Sequence, residues 1–557
     1  MGFSNAFNCI SLNAKCLFGY NLIEIMGNTV TLFLNVRKTF VTSFVTLRTA
    51  LFNTPRHLIH VHVYVVAWIT LVRQGHNVTC LIMDEYKERA DDPELKKYFN
   101  FEIYRNTDPH YTTKEYFQFV SDLAFNDEGG LRSFGKMMYL SKELLRKSCL
   151  FVLEDKEMMK RLEKMDAMVS DVSWLCSSVI KLYLKKHANS DIRIILNVPN
   201  TPNAMILDLA GSPVNPAYQP STMSGLTSNM TFIERTINTI STAVFRSFGN
   251  QMGSYFLSFA EQFDLEDEIM AMGPPAADLF LGNFDFAVEF PFPITPNVIP
   301  VGGVTAEAPN DLPQELEDFI QSSGDDGIVV FTLSTYFASV TTSRPHLLKM
   351  FIDALAKLPQ KVIIQLKVMP QYDLPPNIKA LPWLPQNDLL GHPKTRLFMY
   401  HGGNNGFYEA VYHGVPIVVV PFIADQFDTA VKVTSHGMGL QLDKRTLSAD
   451  YIHKHVAEVL GDEKYSLAAK RLSTILRSRP MEPVDRAAFW IEHVIKHGGD
   501  YMRSPGKDLS FIQYNLIDVF MFLIGIGALL LFVFYKIVRC CISCCWGKKI
   551  SHKSKSD

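Results

Sequence analysis

Charged residues are scarce in this sequence: only 20% of its 557 residues are Asp, Glu, Lys or Arg, and the formal net charge is −2. Proteins that bind nucleic acid carry basic patches that neutralise phosphates, and no long basic stretch occurs here before the extreme C-terminus. The composition therefore gives no support to a nucleic-acid partner and fits a small-molecule ligand better. The chain is also 47% hydrophobic, which is enough to build several domain cores.

Cysteine is scarce as well, with nine residues in the whole chain. Five of them are scattered through the first third, too few for a disulfide-based scaffold. The other four lie together near the C-terminus, at 540, 541, 544 and 545. They lack the second distant pair and the His spacing of a zinc finger, which favours palmitoylation or simple packing at a membrane surface over zinc.

Two nucleotide-binding motifs are missing. No strand-like run is followed by G-x-G-x-x-G and a later acid, and no Gly-rich loop ends in Gly-Lys-Ser/Thr. A nicotinamide-dependent oxidoreductase is therefore disfavoured, and so is a P-loop nucleotidase.

One long uncharged segment is present near the C-terminus. Residues 519–535 carry no charge, and with the two apolar residues at 516 and 517 they approach the about 20 residues that span a bilayer. We predict a transmembrane helix at 516–536, with a buried helix of a soluble protein as the alternative. The tail at 537–557 is rich in Lys and Arg, so the positive-inside rule predicts a cytosolic tail and a lumenal body, the type I arrangement.

The two ends of the chain give weaker signals. Residues 28–36 and 40–47 are each too short or too polar for the core of a signal peptide, and no cleavage site is clear. Segment 1–50 is thus atypical: a poor signal region, an internal start or an altered exon. At the other end, Lys553-Ser-Lys555 resembles a dilysine-type retrieval signal of the endoplasmic reticulum, with a solvated tail as the alternative.

Apolar strand-like runs alternate with helical patterns in two stretches, which predicts two parallel α/β domains. The clearest runs lie at 76–84, 165–172, 191–198, 327–333, 361–368, 396–400 and 416–422. The Pro- and Gly-rich stretch 290–313 predicts a linker, so the expected domains span 51–289 and 314–500, with a juxtamembrane segment at 501–515. A ligand is expected in the cleft between them, at the carboxyl ends of the strands.

The stretch HGGNNGFYEAVYHGVPIVVVPFIADQFD, at 401–428, carries the most chemistry. A glycine turn joins a short strand to a helix, and the free N–H groups of a helix N-terminus bind anions, above all phosphate. His401 is placed to donate to a phosphate oxygen, and Glu409 to accept both hydroxyls of a ribose. Taken alone, an ordinary turn and a capping Glu explain the same residues equally well.

Three neighbouring side chains extend this pattern. Asp425 and Gln426 follow a buried strand, at the sheet edge that carries ligands, and their polar groups suit sugar hydroxyls. Upstream, Trp383 offers an indole for stacking on a base. A solvated Asp and a packed Trp are the plain alternatives.

From 383 to 428 the sequence strongly resembles the signature of the UDP-glucuronosyl/UDP-glucosyltransferases, the membrane-bound animal glycosyltransferases, and a looser resemblance runs from about residue 57 to the tail. The resemblance implies a GT-B fold: an acceptor-binding domain, a UDP-sugar-binding domain and a type I anchor in the endoplasmic reticulum membrane. The expected partners are a UDP-sugar and a small lipophilic hydroxylated acceptor, and a homo-oligomer is left open. No metal or other cofactor is expected, since the glycine turn, the helix N-terminus and a His can meet the charge of the leaving diphosphate.

The resemblance also implies the donor contacts, residue by residue. Trp383 would stack on uracil, Gln386 would hold the nucleoside, and Glu409 would contact the ribose. The diphosphate would be bound by His401, Gly403 and Asn405, and the transferred sugar by Asp425 and Gln426. A further loop, ending at Thr335, resembles the family loop that approaches the phosphates.

In the family, the catalytic base lies before the first helix, which leads to a strand that starts like GHNVT at 75–79. Alignment back from this strand without a gap places the base at His60. Its partner acid ends a strand like the one that stops at Asp171, whereas Asp166 fits a structural role. Neutral imidazole suits proton removal from a hydroxyl near neutral pH, and an Asp fixes its tautomer. Such a single displacement inverts the anomeric carbon. A structural His60 is one alternative, and a zinc site with His57 and His62 is another.

Some residues depart from the family pattern. Ser334 replaces a usual glycine, Phe427 follows the Asp-Gln pair, and the strand expected at 46–53 carries Arg48 and lacks a clean apolar run. A side chain at the glycine position would crowd the donor. These departures keep a second hypothesis open: a membrane-anchored protein that binds nucleotide sugars but has lost turnover.

Overall fold

The computed structural model describes residues 32–35, 65–105, 131–172, 174, 176–257, 260–266, 277–333, 344–423 and 425–550. The chain forms two compact units, residues 1–503 and 504–557. Several parts that the sequence singled out lie outside the described residues: the candidate base His60 with its neighbours His57 and His62, the loop residues Ser334 and Thr335, the signal candidate at 40–47, the expected strand at 46–53 and the dilysine-type segment at 553–555.

The first sheet has seven strands in the order β3-β2-β1-β4-β5-β6-β7. These strands are β1 Leu32–Asn35, β2 Asn77–Met83, β3 Phe99–Tyr104, β4 Ala167–Asp171, β5 Arg193–Val198, β6 Leu279–Gly282 and β7 Val298–Pro300. The helices of this half are α1 Val65–Arg73, α2 Pro93–Lys96, α3 Leu131–Glu154, α4 Lys156–Leu162, α5 Cys176–Ala188, α6 Ala204–Ala210 and α7 Phe232–Leu257. Apart from β1, neighbouring strands are parallel, as predicted.

Strand β1 departs from the expected all-parallel sheet. It lies between β2 and β4 and is antiparallel to both, with Leu32 opposite Cys80 on one side and Val169 on the other. The sequence considered residues 28–36 only as a poor signal core, yet their centre pairs as a strand. The alternation of β and α patterns does not specify such an insertion, because pairing with two distant strands leaves no local mark.

The second sheet has six strands, all parallel, in the order β10-β9-β8-β11-β12-β13. They are β8 Ile328–Thr332, β9 Lys361–Gln365, β10 Ile378–Leu381, β11 Thr395–Tyr400, β12 Ile417–Val419 and β13 Gly439–Gln441. Its helices are α8 Gln314–Gln321, α9 Pro345–Leu355, α10 Gln386–Gly391, α11 Asn404–His413, α12 Gln426–Ser435, α13 Ala449–Gly461 and α14 Glu463–Arg477. The central strands read as continuous apolar runs because helices cover both faces of a parallel sheet.

Two segments near the predicted domain boundaries belong to the first sheet. Strand β7 lies inside the stretch predicted as linker, 290–313, and pairs with β6. Helix α15, Pro483–His497, falls within the predicted range of the second domain, yet its Ala487 and Ile491 share a core with Trp68 of α1. The chain therefore crosses back to the first sheet after it completes the second.

One disulfide was not predicted. Cys149 of α3 and Cys176 at the start of α5 are bonded, with their Cα atoms 5.4 Å apart. Beside it, Trp174 Nε1 donates a 3.0 Å hydrogen bond to Ser148 Oγ. The bond fixes the loop that follows β4 to the long helix α3, and disulfides of this kind persist in oxidising compartments.

The second unit contains a short helix, α16 Phe511–Tyr514, and the long helix α17 Ile517–Ile550. The stretch Ile517–Cys544 has a mean hydropathy of 2.6 and is long and apolar enough to cross a membrane. None of it is buried within the described structure, which favours a membrane span over the buried core helix of a soluble protein. The helix predicted at 516–536 is thus present as a candidate membrane span, and it continues past the cysteine cluster to Ile550.

Candidate active site

The glycine turn lies between β11 and α11, at the carboxyl edge of the second sheet. Gly402 has φ +101°, and a Cβ there would stand 3.0 Å from the carbonyl oxygen of Gln426. Gly403 is the N-cap residue of α11, and a Cβ on it would lie 2.6 Å from His401 Nε2. Glycine is required at 402, whereas a Cβ at 403 would displace the His401 ring. No described side chain caps the helix. The N–H groups of the first turn are therefore available to an anion.

His401 precedes this turn. The side chain is half-buried, and desolvation lowers its pKa to about 3. The imidazole is therefore neutral at physiological pH, and it offers an anion a hydrogen bond rather than a positive charge.

Glu409 and Gln386, which the sequence assigned to one nucleoside, lie together. Gln386 Nε2 donates a 2.7 Å hydrogen bond to Glu409 Oε2. Burial raises the pKa of Glu409 to about 7, although hydrogen bonds from Gln386 and Thr305 oppose the increase. Three residues before Gln386, Trp383 is half-buried, and its Nε1 has no hydrogen-bond partner among the described residues. An amide and a carboxylate thus meet at α11, the helix that begins after the glycine turn.

Asp425 and Gln426 begin α12, which follows β12. Gln426 Oε1 accepts hydrogen bonds from the backbone N–H groups of Phe422 at 2.9 Å and Ile423 at 3.2 Å, so the amide NH2 is the group that Gln426 can offer. Asp425 is only 7% exposed, and its Oδ2 accepts a 3.1 Å hydrogen bond from Asn200 Nδ2 of the first-sheet half. Burial and the neighbouring Asp428 raise the pKa of Asp425 to about 7.

Helix α12 presents one polar face to the first-sheet half of the unit, here called the interdomain stripe: Asp425, Asp428, Lys432 and His436. Asp428 accepts from the backbone N–H of Met223 at 2.8 Å. Lys432 Nζ forms a buried ion pair with Glu289 Oε1 at 2.6 Å. His436 Nε2 lies 2.9 Å from the carbonyl oxygen of Val288. The spacing of three, four and four residues places these side chains on one helical face.

The start of α11 contacts the same half. Asn404 Nδ2 donates to the carbonyl oxygens of Pro199, at 3.1 Å, and Asn283, at 2.8 Å. Asn283 in turn donates from Nδ2 to Asn405 Oδ1 at 3.1 Å. The hydroxyl of Tyr408, one turn further on, accepts from a backbone N–H at 2.7 Å. The predicted diphosphate contact Asn405 is therefore held from the opposite side of the cleft.

The structure separates the two acids of strand β4. Asp171 is buried at its carboxyl end, beside Asn197 of β5 in the parallel register. Asp166 precedes the strand, and its carbonyl oxygen accepts from Arg193 N at 2.9 Å. Only Asp171 lies at the edge where ligands bind an α/β sheet.

Helix α1 places its N-terminus at that same edge. It leads into β2 through a tight turn at Gly75, with φ +94°, so it runs antiparallel to the strand. Its first residue, Val65, is thus near the carboxyl end of the sheet. His60 comes five residues before this point and lies outside the described residues.

Several residues of this cleft were missed by sequence reasoning, namely Asn200, Asn283, Asp428 and Lys432. Asn200 lies two residues after the end of β5, and the rule that placed Asp425 at a strand end would have found it. Asp428 and Lys432 lie three and seven residues after Asp425, a helical spacing that was visible in the sequence. No group of three or more metal-binding side chains occurs in the described parts of the chain.

Comparison with known proteins identifies relatives over most of the chain. The family model described as "UDP-glucoronosyl and UDP-glucosyl transferase" matches residues 50–554. UDP-glucuronosyltransferase 2B7 of Homo sapiens is 32% identical over 518 residues, which cover 87% of this chain and 90% of the relative. UDP-glucuronosyltransferase 2C1 of Oryctolagus cuniculus is 35% identical, over 73% of this chain and 80% of the relative.

Solved structures share the fold. A UDP-glucosyltransferase from Polygonum tinctorium superposes with a TM-score of 0.52 at 16% identity, covering 78% of this chain and 95% of that one. Os79 from O. sativa, solved in complex with UDP, has a TM-score of 0.50 at 16% identity, over 77% and 96% of the two chains. These neighbours, with the two parallel sheets, confirm the predicted GT-B fold.

Proposed function

This chain belongs to the UDP-glucuronosyl and UDP-glucosyl transferase family, and on that premise we propose that it transfers glucuronic acid or a hexose, with inversion, from a UDP-sugar to a hydroxyl of a small lipophilic acceptor. Family and fold support the coarser statement directly: the protein is a glycosyltransferase that uses a UDP-sugar. The glucuronosyl option comes from the names of its relatives. The mechanism and the acceptor class are the parts proposed here.

One observation carries the proposal. The glycine turn, the pair Gln386–Glu409 and the pair Asp425–Gln426 lie along one carboxyl edge of the second sheet, facing the carboxyl edge of the first. Along that edge an anion-binding helix N-terminus is flanked by an acid suited to ribose on one side and by sugar-binding groups on the other. This order matches the order of ribose, diphosphate and sugar in the donor.

The proposed donor contacts are those that the family resemblance implies, and this arrangement supports them. Trp383 stacks on uracil, Gln386 holds the nucleoside, and the ionised Glu409 accepts the two ribose hydroxyls. The N–H groups of the helix that begins after Gly403, with His401 and Asn405, meet the diphosphate as charge develops on it. Asp425 and the amide NH2 of Gln426 bind hydroxyls of the transferred sugar. On the family resemblance we also assign Thr335, which lies outside the described residues, to the phosphates.

On the acceptor side, His60 removes the proton of the acceptor hydroxyl as its oxygen attacks the anomeric carbon. Asp171 accepts from the other ring nitrogen, fixes the tautomer and stabilises the imidazolium. The bond from the anomeric carbon to the diphosphate breaks on the opposite face, and UDP leaves. A single displacement of this kind gives inversion without a metal ion or other cofactor.

Cellular location is part of the proposal. We place residues 51–289 as the acceptor-binding domain and 314–500 as the donor-binding domain in the lumen of the endoplasmic reticulum, with a single-pass anchor and a cytosolic tail. An anchored enzyme meets acceptors that partition into lipid, which supports a lipophilic acceptor class. A homo-oligomer is compatible with this arrangement.

The test uses full-length protein in microsomes with a panel of UDP-sugars and small hydroxylated acceptors. We expect product from the wild type, with kcat reduced at least 100-fold in His60→Ala and Asp171→Asn, in line with the usual contribution of a general base, about 10²–10⁴-fold. Asp166→Asn, the other acid near β4, is the matched control and should retain turnover. Donor binding without product in the wild type would instead support the second hypothesis, a nucleotide-sugar-binding protein without turnover. Full activity in Asp171→Asn would contradict the assignment of His60 and Asp171 as the catalytic pair.

A further inference from the structure

Three consecutive residues of the first-sheet half, the 199–201 loop, each contact the donor half. The carbonyl oxygen of Pro199 accepts from Asn404 Nδ2 at the start of α11. Asn200 Nδ2 donates to Asp425 Oδ2 at 3.1 Å, and Thr201 Oγ1 accepts from Lys432 Nζ at 3.1 Å. The loop follows β5 at the carboxyl edge of the sheet, so it reaches both helices whose N-termini form the proposed donor site.

Asp425 is incompletely satisfied in this arrangement. Oδ2 is bound by Asn200, whereas Oδ1 is buried and has no hydrogen-bond partner among the described residues. A buried carboxylate oxygen without a donor is costly, and in a binding site it points to a ligand group that supplies the donor. A sugar hydroxyl is a donor of the required kind.

Because a carboxylate only accepts hydrogen bonds, the amide NH2 of Asn200 is the group that must face it. A bond to one carboxylate oxygen fixes the rotation of the whole group and therefore the direction of the other oxygen. The two nearest charged side chains, Asp428 and Lys432, are each engaged elsewhere, with Met223 and Glu289. Asn200 is thus the described side chain that orients Asp425.

We propose that Asn200 is a positioning residue for recognition of the donor sugar: from the acceptor-side half it orients Asp425 so that the free Oδ1 receives a sugar hydroxyl. This inference rests on the proposed function and adds to it a residue of the opposite domain. It predicts that Asn200 is needed for recognition of the sugar but not for recognition of UDP.

The test measures the affinity of full-length protein in detergent for UDP and for two UDP-sugars, UDP-glucose and UDP-glucuronic acid, by calorimetry. Asn200→Ala should weaken binding of the UDP-sugar used by the wild type about tenfold or more, as expected for loss of a hydrogen bond to a charged group. Its affinity for UDP should change less than about twofold, because UDP has no sugar to recognise. Asn200→Ser, which keeps a polar but shorter side chain, should behave in the same way.

Two further variants separate positioning from interface stability. Thr201→Val removes the neighbouring contact to Lys432 on the same loop and should leave the ratio of the two affinities unchanged. In an Asp425→Asn background, Asn200→Ala should cause no additional loss, because the residue it orients is already altered.

The outcomes distinguish this inference from the proposed function. Equal weakening of UDP and UDP-sugar in Asn200→Ala, or an unchanged ratio in an active enzyme, would overturn the positioning role while the transferase proposal stands. Wild-type protein that binds no uridine nucleotide would defeat the proposed function, and this inference with it.

Discussion

Binding of the donor should release a proton from Glu409. In the ligand-free protein, burial raises the pKa of this carboxyl from its ordinary value of 4.5 to about 7. Ribose hydroxyls donate to an ionised carboxylate and favour that form, so a bound UDP-sugar should return the pKa towards 4.5. The difference between the two pKa values corresponds to about 3 kcal/mol of preference for the ionised form in the complex.

The amount of proton released depends on pH. A carboxyl with a pKa of about 7 is about nine-tenths protonated at pH 6, half at pH 7 and one-tenth at pH 8, and these fractions are the protons expected to leave. The contribution of Glu409 alone should therefore lower the affinity for the donor about fivefold from pH 7 to pH 6. The folding stability of the ligand-free protein has the opposite pH dependence: it falls as the pH rises. Between pH 4.5 and 7 the folded state holds a proton that the unfolded state has lost, so Glu409 makes unfolding easier as the pH rises.

Calorimetric titration with UDP-glucose or UDP-glucuronic acid, in buffers of different ionisation enthalpy, measures this release. A UDP-sugar is preferable to UDP because the terminal phosphate of UDP itself titrates near pH 6. Asp425, whose pKa is also about 7, contributes its own protons, so the quantity of interest is the difference between the wild type and Glu409→Gln. That difference should be about half a proton at pH 7. The exposed carboxyl of Glu315 provides the control, Glu315→Gln, which should match the wild type.

An equal proton count in the wild type and Glu409→Gln, with both binding the donor, would refute the assignment of Glu409 to the ribose. So would a donor affinity that stays constant between pH 6 and pH 8, because an acid that must ionise to bind cannot be silent there.

Three other predictions concern stability and topology. Gly402→Ala should lower the free energy of unfolding by about 1–2 kcal/mol and weaken donor binding, because a residue with a Cβ is strained at φ +101°. Gly461→Ala, where a Cβ would meet open space, should do neither, and equal behaviour of the two variants in thermal unfolding and donor titration would contradict the strain. Cys149→Ser with Cys176→Ser should lower the unfolding free energy by about 3–4 kcal/mol in denaturant titrations, and a wild-type midpoint insensitive to reductant would refute this. Asn229-Met230-Thr231 is an N-glycosylation sequon with an exposed Asn229, so a lumenal body should be glycosylated there, with an endoglycosidase shift that Asn229→Gln abolishes. Unmodified protein would contradict that orientation.

The donor half was largely predictable because its determinants are local. Gly402 and Gly403 signal a turn that needs a positive φ and close approach, and the apolar strands on either side are continuous runs. In a parallel sheet the carboxyl ends of successive strands share one edge, which is why the sequence placed the glycine turn and Asp425 at the ligand-binding edge. Gln386 and Glu409, both assigned to the nucleoside, are joined by a hydrogen bond in the structure.

The disulfide and the pairing of strand β1 could not be predicted from the sequence, because they are not determined locally. Cys149 and Cys176 are two of five scattered cysteines, and their pairing depends on how α3 folds back onto the loop after β4. Strand Leu32–Asn35 has only four residues, three apolar and one polar, which is too short a pattern to indicate its partner strands. Both features depend on contacts between distant parts of the chain, and nothing in the neighbouring residues encodes them.

The interdomain stripe shows why polar contacts across a cleft are the hardest to predict. The positions 425, 428, 432 and 436 have helical spacing, but they are acids, a lysine and a histidine, so the pattern is the one that a solvated helix face also has. What buries them is a surface more than 130 residues away, where Asn200 and Glu289 supply the partners. Once buried, such groups are expensive unless paired, which accounts for the dense hydrogen bonding seen along the stripe. The remaining exception, the buried Oδ1 of Asp425, is therefore the atom at which a ligand is most strongly expected.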